Sequence, residues 1–162
     1  MTSLVLPRSL WKGCVSAATA KVPFEEGGLL LGYIDAAGHR LVTHAIGSGP
    51  NARRARTWLE VDHDWQNARI RELHESGERV AYLGEWHSHP DATCGTLSHR
   101  DRRTLERLAA FGPLACPDPV MVIVHPAKEE WRAQGWALAH PAARKIRLLA
   151  PPFRSVDIII RT

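Results

Sequence analysis

Gly84-Glu85-Trp86-His87-Ser88-His89-Pro90 is followed in this chain by Ser98 and Asp101. The apolar run Val80-Ala81-Tyr82-Leu83 leads into it and predicts a strand. In a strand, residues i and i+2 share a face. His87 and His89 therefore present two imidazoles to one point, while Trp86 and Ser88 face the other way. Pro90 has no N–H for a ladder and ends the strand. Asp101, one turn into an expected helix, can supply a third ligand. Two nitrogens and one oxygen leave a tetrahedral zinc one position for water, which separates a catalytic site from a closed structural one.

Working outward, the stretch Glu25-Glu26-Gly27-Gly28-Leu29-Leu30-Leu31-Gly32 predicts a buried central strand. A turn at Asp35 to Gly38 joins it to a hairpin partner over Arg40 to Ala45. Ser3 to Leu6 reads as a first strand, and Pro7 opens a helix from Arg8 to about Lys21 with Trp11 on its core side. Arg53, Arg54 and Arg56 fall in a solvated loop, and Thr57 to Val61 is a short strand. Asp62 or Asp64 caps a helix running to about Ser76, with Trp65, Ala68 and Leu73 near one face.

Beyond the histidines, Ser98 opens a helix to about Phe111, stopped by Gly112-Pro113, with Leu105, Leu108 and Ala109 facing the core. Val120 to Val124 is a second buried strand. Glu130 to Leu138, Lys145 to Leu149 and Val156 to Ile160 complete the set. The expected architecture is α/β: one domain over residues 1–162, a mixed sheet with about three helices.

The 162 residues suit one domain with its own core, and 44% apolar with 23% charged residues excludes a disordered chain. No apolar run approaches the length of a membrane span. Small residues at Ala17 to Ala20 resemble a leader cleavage site, but Pro7, Arg8 and Lys12 break any apolar segment before it. A cytoplasmic protein is therefore expected. Three cysteines, Cys14, Cys94 and Cys116, form no disulfide framework and fit a reducing compartment. A net charge of +4 is too mild to indicate nucleic acid, and no closed four-ligand set or aromatic-basic interleaving appears. Neither nucleic acid nor membrane is an expected partner.

A hydrolytic zinc site needs a general base. Glu25 and Glu26 stand at the mouth of the central strand, and Glu85 shares the histidine face by parity. Chemistry alone leaves these open, with Glu85 either a partner for a histidine N–H or a rim carboxylate. Ser98 has two readings also. Ser-x-x-Asp before an amphipathic run is an N-cap pattern. Beside two histidines and Asp101, its hydroxyl also fits hydrogen bonding to an oxyanion.

The combination resembles the JAB/MPN-plus, or JAMM, metallopeptidases, whose signature is an upstream Glu, then His-x-His, then Ser-x-x-Asp. The resemblance runs from about Phe24 to Val124 and rests on Glu25, His87, His89, Ser98 and Asp101. Pro90 to Leu97 separate the second histidine from the serine, one residue more than the family spacing, and Asp91 is a fallback ligand. The family pattern, Glu followed two residues later by Gly, selects Glu25 over Glu26. The resemblance implies an MPN fold, which is cytidine-deaminase-like with a mixed sheet flanked by helices. It implies Zn2+ on His87, His89 and Asp101, Glu25 as base and Ser98 at the oxyanion.

The Gly-Glu-Trp-His-Ser-His-Pro wording looks like prokaryotic JAB proteins of bacterial ubiquitin-like conjugation and antiviral operons. That implies an isopeptidase acting after the C-terminus of a ubiquitin-like protein, alongside E1/E2-like enzymes. One alternative is a peptidase that trims a sulfur-carrier protein to its Gly-Gly terminus. Another is a non-catalytic MPN scaffold, which the retained ligand set disfavours.

Overall fold

The computed structural model describes residues 2–111, 116, 118–139 and 152–162. Its elements are β1 (Ser3–Pro7), α1 (Arg8–Lys21), β2 (Gly27–Ile34), β3 (Arg40–Gly47), β4 (Arg53–Ala55), β5 (Trp58–Glu60), α2 (His63–Glu75), β6 (Ala81–Ser88), α3 (His99–Ala110), β7 (Val120–Ala127), β8 (Glu130–Leu138) and β9 (Phe153–Arg161). The strand expected at Lys145 to Leu149 and the Gly112-Pro113 stop lie outside the described residues. No described helix is long and apolar enough to cross a membrane.

Seven strands form one mixed sheet in the order β1-β3-β2-β6-β7-β8-β9. The mixed pairing and the three helices follow the sequence expectation. The architecture does not: the sheet is a closed barrel rather than a layer flanked by helices. Closure comes from parallel pairing of Ser3–Pro7 with Asp157–Arg161. Periodicity marks a strand but not its partner, so a pairing between residues this far apart leaves no local trace. β4 and β5 make a separate two-stranded sheet, so Arg53 to Ala55 is a strand rather than a solvated loop.

β7 explains its own continuous apolar run. Val120, Val122 and Val124 enter a core to which all seven barrel strands and α1 contribute. Met121 and Ile123 enter a second core with Leu97, Leu105 and Phe153. A strand buried on both faces has no polar alternation to show. The wholly buried Leu105 fixes α3 over the second core, a burial that contributes roughly 1.5–3 kcal/mol. Cys14 and Ala18 on α1 are buried in the first core, with Trp11 packed against it.

The central pair carries a bulge that decides which way the site residues point. Leu30 pairs with Gly84 and Leu31 with Tyr82, which leaves Leu83 as the extra residue. Gly84 takes a φ of 153°, and a Cβ there would lie 1.9 Å from the Val120 carbonyl oxygen. The bulge sends both Leu83 and Trp86 into the first core. Glu85 and His87 then face the opposite side, where they line a groove.

α2 is held differently from the expectation. Asp62 is its cap, accepting from the Trp65 N–H at 3.1 Å. Its buried residue is Gln66, whose Nε2 donates to the Gly47 carbonyl at 2.8 Å. Trp65, Ala68 and Leu73 are only partly buried. A polar side chain gives no hydrophobic periodicity to read, so the contact that fixes α2 was not legible.

Candidate metal centre

The two histidines stand at the end of β6. His87 is paired across from Gly27 on β2 and from Ile123 on β7. A Cβ on Gly27 would lie 2.3 Å from the Trp86 carbonyl oxygen, so only glycine lets β2 approach β6 at this point. The Ser88 N–H donates to the Glu26 carbonyl at 2.7 Å, and the His89 N–H to the Val124 carbonyl at 2.8 Å. Both histidines are thus carried on backbone tied to its neighbours.

α3 brings the third group. Ser98 caps it through a reciprocal box: the Asp101 N–H donates to Ser98 Oγ at 3.2 Å, and the Ser98 N–H donates to Asp101 Oδ2 at 2.7 Å. This pins the Asp101 carboxylate at the first turn, facing the strand. His87 Nε2 lies 3.0 Å from His89 Nε2 and 3.1 Å from Asp101 Oδ1, and His89 Nε2 lies 3.3 Å from Asp101 Oδ2. Zinc bonds of 2.0–2.1 Å at tetrahedral angles set ligand atoms ~3.3 Å apart. The three separations fit one ion bound by the two nitrogens and one carboxylate. His87 and Asp101 are buried and His89 is nearly so.

Glu25 completes the constellation. It is 6% exposed, its Oε1 is 3.9 Å from His89 Nε2, and its N–H donates to the Ala55 carbonyl at 2.9 Å. Glu26 turns away. Its Oε2 accepts from Arg54 Nε at 3.0 Å, and its Oε1 accepts from the Gly27 N–H at 2.9 Å. Of the two adjacent carboxylates, only Glu25 is within reach of the histidines.

The electrostatics follow from crowding these groups out of water. Burial pushes the Glu25 carboxyl above its ordinary range, and the charges of His87 and His89 pull it back only in part. Burial would lower His87, but the hydrogen bond and charge of Asp101 outweigh it and raise the imidazole. Burial also opposes ionisation of Asp101, yet the bonds to His87 and His89 hold it well below the usual carboxylate range.

A groove of about 650 Å³ opens beside these residues, its lining including Glu25, Leu59, Glu85, His87, Asp101 and Phe111. Glu85 lies on the histidine face as parity requires, pushed up by burial. Among the described residues it makes no hydrogen bond to either imidazole. Asp91 is exposed and paired with Arg56 Nη1 at 2.8 Å, so it is not part of the cluster. Cys94 is exposed on the loop before Ser98, its thiol lowered by the Thr96 hydroxyl, and it too lies outside the cluster. The remaining histidines are not gathered with any ligand set among the described residues.

Sequence reasoning missed two residues here, Ser88 and Arg54. Ser88 Oγ accepts from the Glu26 N–H at 2.9 Å, and Arg54 holds the Glu26 carboxylate. The signal for Ser88 was its strand parity, which put it on the buried face without naming its partner. Arg54 carried none beyond membership of a basic cluster.

Residues 7–137 match a family model described as prokaryotic homologues of the JAB domain. The chain is also 31% identical over 132 residues to a protein named probable metalloprotease y4qB, from Sinorhizobium fredii (strain NBRC 101917 / NGR234), covering 81% of this chain and 80% of that protein. The solution structure of protein DSY2949 from Desulfitobacterium hafniense aligns with a TM-score of 0.70 at 18% identity, over 98% of this chain and 92% of that one. That last likeness is one of fold.

Proposed function

Because the chain belongs to the family of prokaryotic JAB-domain homologues, we propose that it is a zinc peptidase of the JAMM type. Its bond is a peptide or isopeptide bond at the C-terminus of a ubiquitin-like protein. The observation that carries the reading is the convergence of His87 Nε2, His89 Nε2 and the Asp101 carboxylate within 3.0–3.3 Å, with Glu25 beside them. Its similarity to a protein named a probable metalloprotease supports the hydrolytic class.

His87, His89 and Asp101 would hold the ion. Zinc, when bound, would acidify a water and polarise the scissile carbonyl. Glu25 takes the proton from the attacking water and returns it to the leaving amine. Its raised affinity for a proton suits both of those transfers. Ser98 Oγ uses a lone pair for the Asp101 N–H, and its own O–H serves as donor to the developing oxyanion. The groove, apolar at Leu59 and Phe111, takes an extended tail and shields the reaction from bulk water. Within this reading the protein works in the reducing cytoplasm, alongside E1/E2-like enzymes encoded with it in an antiviral conjugation operon.

The test is a fusion of a ubiquitin-like protein to a C-terminal reporter. Cleavage at the modifier's terminus, lost with chelator and restored by zinc, is the expected result. No cleavage by zinc-loaded protein of that fusion or of the corresponding lysine conjugate would sink the proposal. Trimming of a sulfur-carrier fusion alone would move the substrate to that class.

A further inference from the structure

The most heavily bonded side chain near the centre is one that touches neither the ligands nor the groove. Arg54 sits on β4 with its guanidinium largely buried. Its Nε and Nη2 reach Glu26 Oε2 at 3.0 and 2.9 Å, Nη2 donates to Ser48 Oγ at 2.6 Å, and Nη1 donates to the Ala52 carbonyl at 3.1 Å. The far oxygen of Glu26 accepts from the Gly27 N–H, and the Glu26 N–H donates to Ser88 Oγ, between the two histidines. One residue along, the Ala55 carbonyl accepts the Glu25 N–H. Glu25 lies before the first residue of β2, so no ladder bond of that strand fixes it.

We propose that Arg54 is a positioning residue that aims Glu25, acting through the Glu26 carboxylate. Glu25 and Glu26 are neighbours whose side chains diverge, so anchoring the Glu26 carboxylate sets the backbone from which Glu25 projects. The same guanidinium fixes β4, whose Ala55 carbonyl holds the Glu25 amide. The base is therefore gripped from both sides by one cation. A charge-assisted pair of this kind, largely out of water, is stiff and costly to break from one side. Arg53 and Arg56 take no part in this grip, since they pair with Glu60 and Asp91 at the exposed surface.

The proposal rests on Glu25 being the base. Its consequence for rate is that loosening the grip misplaces a proton acceptor without removing any ligand, and displacements of about 1 Å cost on the order of 100-fold. Arg54→Ala is expected to lower kcat by about 10–100-fold, with KM within twofold and one zinc still bound per chain. Arg54→Lys restores part of the loss, since one ammonium replaces a fork. Glu26→Ala gives a similar loss, and the double variant is no worse than either single one, because both act through one pair. Arg53→Ala, on the same strand, leaves kcat unchanged.

A readout independent of turnover is amide hydrogen exchange. The Glu25, Glu26 and Gly27 amides lose protection in Arg54→Ala, while those of His87 and His89 keep theirs. Unchanged exchange at these three amides, or a rise in KM with kcat intact, would overturn the positioning role. Loss of bound zinc in Arg54→Ala would do so as well, since it would place the effect on the ligands. A wild-type protein that cleaves nothing would fail the peptidase reading, yet the exchange experiment would still decide whether Arg54 holds the Glu25 segment.

Discussion

The proposed metal ligands and the proposed base meet within 3.9 Å, yet the chain holds them by different means. His87 stands on β6, which runs between β2 and β7 with backbone ladders on both sides. His89 extends that strand, tied to the Val124 carbonyl. Glu25 precedes β2 and is held by one backbone bond to the β4–β5 hairpin and by the side chains around Glu26. Ladders are insensitive to side-chain identity, so the histidines take their place from periodicity. A side-chain grip depends on three particular residues distant in sequence. On this contrast, perturbing the ligands removes the ion, and perturbing the base or its grip removes turnover alone.

His87→Ala is the largest expected break. It deletes one of three ligands and leaves the Asp101 carboxylate without its 3.1 Å partner in a buried setting. Zinc affinity should fall by more than the ~100-fold typical of outer-shell partners, and turnover should vanish with it. Equilibrium dialysis showing full zinc occupancy in this variant would remove His87 from the ligand set. Glu25→Gln is the matched experiment on the other side. Zinc stays bound at one per chain, while kcat drops by about 10²–10⁴-fold, the range for loss of a general base. Equal loss of zinc in both variants would erase the distinction between the two regions.

How much of this the sequence contained follows the same division. Parity on one strand placed His87 and His89 on a common face, and the Ser-x-x-Asp pattern placed Asp101 on the first turn of α3; the structure brings all three together. The boundaries of α1 and β8 were also readable, because Pro7 and regular apolar spacing mark them locally. Barrel closure through β1 and β9 was not, since it is a pairing of distant residues. Gln66 fixing α2 and Arg54 gripping Glu26 were not either, because polar contacts across the fold have no period. Glu25 was separable from Glu26 only through a family pattern; in the structure Arg54 pairs with the Glu26 carboxylate, and Glu25 is the one left beside the histidines.

Acid should sharpen the ligand side. Binding needs His87 unprotonated. Asp101 raises the imidazole above its ordinary value, so the proton becomes a competitor at a higher pH than for a free histidine. Zinc affinity is expected to fall by about tenfold per pH unit once the pH drops below that raised value, and to level off above it. Titration of affinity against pH measures this directly. A curve flat down to the ordinary carboxylate range would mean that His87 binds no competing proton.

The smallest effect concerns Ser98, where the two modes of holding meet in one residue. Its oxygen caps α3 and fixes Asp101, while the proposed mechanism gives its hydroxyl hydrogen to the oxyanion. Ser98→Ala removes both, and loss of a cap costs ~1 kcal/mol. For a domain of this size that lowers Tm by about 2–4 °C, readable by calorimetry. Ser98→Asn keeps a capping oxygen but carries no hydroxyl at that position. It should recover Tm without recovering turnover. Recovery of both would mean that the hydroxyl does no chemistry and that Ser98 serves only to hold Asp101 against the histidines.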